Sequence, residues 1–149
     1  MKLAEALQER ADLNHRIDQL ENRLYNNALV QEGEQPAENP QQLLTELEQC
    51  IAQLEELMGR INLTNSKTVI DGRTLTERIA QRDCLTLKIN AYRAFLQQAS
   101  QTAHRASRTE IKVFSTVDVA QLQKTVDQMA RELRLLDNQI QQTNWTTEL

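Results

Sequence analysis

Between Val119 and Ile140 the apolar residues Val119, Leu122, Val126, Met129, Leu133, Leu136 and Ile140 recur at alternating steps of three and four. That period puts every member on one face of an α-helix, and a helix with one apolar face must bury it against another element. Three further segments repeat the pattern. The first carries Leu3, Ala6, Arg10, Leu13, Ile17, Leu20 and Leu24, with Arg10 its one polar member. The second carries Leu44, Leu47, Ile51, Leu54, Met58 and Ile61, and Leu43, Cys50 and Leu57 add a flanking row at steps of seven. This stripe is wide enough to touch two neighbours. The third runs from Leu75 to Ala99 through Ile79, Leu85, Ile89, Tyr92 and Leu96, with Ala80, Cys84, Leu87 and Ala91 beside it. Arg82 stands where this stripe expects an apolar residue. Four such stripes predict an all-α fold, an antiparallel four-helix bundle forming one domain over residues 1–149. Its core is expected to include Leu47, Ile51, Leu54, Leu85, Ile89, Leu122, Val126, Met129 and Leu133.

Capping chemistry sets the boundaries. Asn39-Pro40 places a good N-cap before a proline at the first helical position. Thr74-Leu75-Thr76-Glu77 is a capping box, and Asp118 begins the fourth helix in a similar way. The helices are expected near 2–29, 40–64, 74–102 and 117–142. Asn65 is suited to the left-handed residue that ends the second helix. Gly59, costly inside a helix, is expected to mark a close helix contact. The lone Trp145 is expected to pack back on the bundle through its large ring.

The joints 30–38, 63–73 and 102–117 are long and polar. Thr109 to Phe114 alternates as a strand does, and Lys67-Thr68-Val69-Ile70 before the turn signal Asp71-Gly72 is a second strand candidate. In an up-down bundle those two lie at opposite ends, so their pairing would need one segment to run back along the bundle or to cross a subunit interface.

Composition closes several functional classes. Aromatic residues are 3% of the chain, too few for a base-stacking platform, and the net charge of −4 draws neither nucleic acid nor an anionic membrane. The apolar run after Lys2 breaks at Glu5, short of a secretory signal, and no stretch approaches the roughly 20 apolar residues of a membrane helix. A cytoplasmic location is expected. Gly33, Gly59 and Gly72 are too scattered for a phosphate-binding loop. The nearest approach to a Glu-x-x-His metal pair is Asp12-Leu13-Asn14-His15, and His104 is the other histidine. His15 reads as an exposed helix residue, and no metal or cofactor is expected. Ser107 lies near His104, but a triad needs an oriented pocket that a joint does not supply. Cys50 and Cys84 read as small buried hydrophobes, and Glu46, Glu48, Glu55 and Glu56 as solvated charges.

The most suggestive polar patch is Arg105, Arg108 and Lys112, where guanidinium forks suit phosphate or carboxylate. Glu110 and the acidic joint with Glu32, Glu34 and Glu38 offer the same bases salt bridges. Arg82 at a helix interface needs an acid, a carbonyl or a polar cavity.

Several stretches together resemble a known family: Val30-Gln31-Glu32-Gly33-Glu34-Gln35-Pro36, Ile61-Asn62-Leu63-Thr64-Asn65, Arg82-Asp83, Arg108-Thr109-Glu110-Ile111-Lys112, and Leu136-Asp137 leading to Asn144-Trp145. The chain is similar over nearly its whole length to small bacterial all-helical proteins of unknown function, some of them labelled septicolysin. The resemblance implies no activity, cofactor or catalytic residue, while the label implies a cytolysin.

The residues favour a non-enzymatic helical protein that self-associates through its helix faces, with a small anion bound at a polar joint. An enzyme or ligand binder built on Arg82, Arg105, Arg108 and Glu110 is the alternative, and a membrane-active cytolysin a third.

Overall fold

The structure is a computed structural model and describes residues 1–102 and 111–149. The fold is all-α. Its long helices are α1 (Leu3–Asn26), α2 (Pro40–Lys67), α3 (Leu75–Ala99) and α4 (Val119–Thr146). A two-stranded hairpin of β1 (Val69–Ile70) and β2 (Arg73–Thr74) joins α2 to α3. By its contacts the chain divides into two compact units, Met1–Val69 with Thr143–Leu149, and Ile70–Gln142.

In the first unit α1 and α2 pack antiparallel. Leu3, Ala6, Leu13 and Leu20 are buried from α1, and Leu43, Cys50, Leu57 and Ile61 from α2. Arg16 bonds Glu46 at 2.6 Å, and Arg23 holds Glu38 through its Nε at 3.0 Å. Glu46 is therefore half-buried against α1, not one of the freely solvated acids. The Arg23 guanidinium holds the Glu38 carboxyl below the usual carboxylate range. The joint itself is anchored by Asn27, a buried polar residue. Its Nδ2 donates to the Arg23 carbonyl at 2.8 Å, and its Oδ1 accepts from the Glu38 amide at 2.9 Å.

The expected register of α2 is corrected. The row at 43, 50 and 57 faces the core, while Leu44, Ile51 and Met58 are 40%, 47% and 43% exposed. Both rows repeat every seven residues, so period alone does not distinguish them, and the contact with α1 covers an arc too narrow for both. Gly59 makes no close contact either, since a Cβ there would meet nothing within 4 Å. Nor does Asn65 end the helix. α2 continues to Lys67 and is followed by an extended Thr68.

The segment Thr143–Leu149 completes this unit. The Leu3 amide donates to the Thr147 carbonyl at 2.9 Å, and Lys2 and Glu148 form an antiparallel bridge. The tail is thus held, but not by the indole: Trp145 is 55% exposed and its neighbour Asn144 is buried. The C-terminal turn of α4 directs position 144 inward, which rotates 145 away.

In the second unit α3 and α4 pack antiparallel around Ile89, Leu96, Val126 and Met129, with Leu85, Tyr92, Val119, Leu122 and Leu133 against them. Here the three-four stripes read from sequence match the buried faces. Thr74 and Glu77 form the capping box, with Thr74 N to Glu77 Oε2 at 2.7 Å and Glu77 N to Thr74 Oγ1 at 3.2 Å. Asp118 accepts from the Gln121 amide at 3.1 Å. Cys84 is exposed, unlike Cys50, and both thiols are free.

The hairpin replaces the longer-range strand pairing considered from sequence. Asp71 and Gly72 have φ of 48° and 79°, the left-handed pair that a two-residue hairpin turn requires. Thus β1 finds its partner two residues on, in Arg73-Thr74. Residues 111–114 form no strand, and 109–110 lie outside the described residues. Arg78 ties the turn to α3: its Nε donates to the Ile70 carbonyl at 3.1 Å and its Nη2 to the Asp71 carbonyl at 3.2 Å. No described helix is long and apolar enough to cross a membrane.

Candidate functional site

Arg82 departs from the apolar stripe of α3, and the structure shows what receives it. The side chain is half-buried at the edge of the α3–α4 contact. Its Nη2 lies 2.9 Å from Asp83 Oδ1, and its Nη1 lies 3.6 Å from Asp137 Oδ1 across the seam. Two short motifs far apart in sequence, Arg82-Asp83 and Leu136-Asp137, are therefore one constellation.

From that ion pair a groove of about 370 Å³ runs along the seam. Arg82, Thr86, Ile89 and Arg93 form its α3 side, and Ala130, Leu133, Arg134 and Asp137 its α4 side. Steps of four, three and four along α3 keep its members on one edge of the helix. Ile89 is buried and Leu133 half-buried, so the floor is apolar. Arg93 and Arg134 are exposed, and among the described residues no acid lies within ion-pair distance of either. A larger groove in the first unit, about 490 Å³, is lined by Arg16, but Glu46 already occupies that guanidinium.

Of the residues singled out from sequence, Arg82 is in the α3–α4 groove and Lys112 is on an exposed irregular segment. Arg105, Arg108 and Glu110 lie outside the described residues, as do His104 and Ser107. Glu38, expected among the acids available to that basic joint, is bound by Arg23. Arg93 and Arg134 were missed. Their signal was positional: Arg93 is eleven residues, three turns, beyond Arg82 on the same edge, and Arg134 precedes Asp137 by three.

A second feature is apolar. Leu44, Ile51 and Met58 form an exposed row on α2, with Ala52 and Gly59 following Ile51 and Met58 on the same open side. On α3 the flanking residues Ala80, Cys84, Leu87 and Ala91 are all exposed, and Phe95 continues them.

Residues 10–149 match the model of a family described as a family of unknown function, DUF6847. No curated protein matches the chain. The fold is similar to the crystal structure of a functionally unknown conserved protein from Corynebacterium diphtheriae, with 43% identity and a TM-score of 0.92. The match covers 100% of this chain and 98% of that one.

Proposed function

The chain belongs to DUF6847, a family of unknown function, and from its own residues we propose that it is a non-enzymatic helical protein that self-associates through α2. One observation carries this reading: Leu44, Ile51 and Met58, one heptad apart, stay 40–47% exposed on a helix whose other seven-residue row is buried. With the half-buried Leu47 and Leu54 they continue the alternating three-four spacing of a coiled-coil seam. The occupant is a second copy of this chain. Ile51 is the midpoint of the row, so a two-fold antiparallel pairing sets Ile51 on Ile51 and Leu44 on Met58, a self-complementary contact. Ala52 and Gly59 beside the row let two backbones approach closely, which gives Gly59 a role that α1 does not.

Light scattering on the full chain tests this. A mass of about twice 17.2 kDa is expected, falling to one copy in Ile51→Lys with helix content by circular dichroism unchanged. A wild-type chain that stays at one copy at micromolar concentration overturns the reading.

A further inference from the structure

We propose that the groove between α3 and α4 is a binding site for a small organic phosphate monoester. Its chemistry has three parts. Arg82 is fixed at one end between Asp83 and Asp137, so it forms a wall whose charge is already met. Arg93 and Arg134 line the same groove from opposite helices with no described acid in ion-pair reach. Asp127 lines an adjoining groove with Arg93, outside ion-pair distance of it, and accepts a hydrogen bond from Gln123 Nε2 at 2.9 Å.

The antiparallel packing places the two arginines on opposite walls of one groove. Long side chains on helices lean toward the N-terminus of their own helix. Registered on the Arg82–Asp137 pair, Arg93 and Arg134 start roughly two turns apart, and each leans toward the other. Two guanidinium forks lining one groove suit an oxyanion that accepts several hydrogen bonds. Two arginines with no ion pair among the described residues favour a dianion, and a phosphate monoester is close to one at neutral pH because its second pKa is about 6. The floor of Ile89 and Leu133 adds a demand that inorganic phosphate does not meet: the ligand carries an apolar body. A groove of about 370 Å³ admits only a small one.

The test uses the full chain with phenyl phosphate, benzoate and inorganic phosphate as probes, read by calorimetry and by the melting temperature. Phenyl phosphate is expected to bind more tightly than inorganic phosphate, which lacks the ring, and than benzoate, which has one charge. Arg93→Gln and Arg134→Gln are each expected to weaken it at least tenfold. The melting temperatures of the unliganded variants should stay near wild type, because neither side chain has a described ion pair to lose. No binding of phenyl phosphate at millimolar concentration, equal affinity for benzoate, or binding retained in the double variant R93Q/R134Q overturns the proposal. Each outcome is independent of self-association, since the variants leave α2 untouched and their mass is read alongside.

Discussion

Lys2 and Glu148 face each other across an antiparallel bridge, the ammonium nitrogen 2.5 Å from a carboxylate oxygen. Hydrogen bonds from Lys2 and then from the N-terminal amine hold the Glu148 carboxyl below its usual range. A carboxyl lowered by folding stabilises the fold above its unfolded pKa, and that contribution is lost as pH falls through the lowered folded value. Glu148→Gln should therefore melt earlier than wild type at about pH 7, and the gap should narrow as the pH is lowered below the ordinary carboxylate range. Because the pair is exposed, 1 M salt should narrow it as well. Paired melting curves check both arms.

The register of α2 predicts opposite outcomes for two isoleucines ten residues apart. Ile61 is 1% exposed, and Ile61→Ala should cost about 2–5 kcal/mol. Ile51 is 47% exposed, and Ile51→Ala should cost under about 1 kcal/mol in the stability of one copy. Urea unfolding of both variants at submicromolar concentration measures the difference.

The turn between the strands depends on residue 72. Gly72 has a φ of 79°, so an L side chain there is strained although nothing lies within 4 Å of its Cβ. Gly72→Ala should cost about 1–2 kcal/mol by backbone strain alone. Thr74→Ala, which removes the acceptor for the Glu77 amide, should cost about 1 kcal/mol. Urea titration of each variant gives these values.

The two cysteines should separate cleanly in reactivity. Cys84 is exposed and Cys50 is buried among apolar residues. One thiol per chain should react promptly with an aromatic disulfide reagent in native buffer, and the second only in denaturant. Mass mapping of the modified residue identifies which is which.

Much of the second unit was legible because α4 carries a single apolar stripe with one way to face inward, and on α3 the row beside the stripe is mostly the small residues Ala80, Cys84 and Ala91. α2 carries two rows with the same spacing, and the choice between 43-50-57 and 44-51-58 is made by the side α1 occupies, which no local period encodes. The Asp71-Gly72 turn was visible, but Thr74 already served as a helix cap, so the second strand was hidden by a residue with two roles. Trp145 shows the limit of arguing from ring area: one position along a helix turns a side chain by about 100°, and here Asn144 takes the inward direction. In the groove, Arg82 announced itself by breaking a stripe. Arg93 and Arg134 break none, since they sit on an edge where polar residues are ordinary, and only the pairing of two helices brings them to one place.

The contact of Leu3 with Thr147 has a consequence for the order in which the molecule is made. On a ribosome elongating at about 5–20 residues per second, Lys2 and Thr146, 144 residues apart, put the two sides of this clasp roughly 7–30 s apart in synthesis. The β1–β2 hairpin can close within about 1–10 μs of emerging. The helices of the first unit are thus complete long before their clasp exists, and the start of α1 waits with the Leu3 amide open until the last residues of α4 leave the exit tunnel.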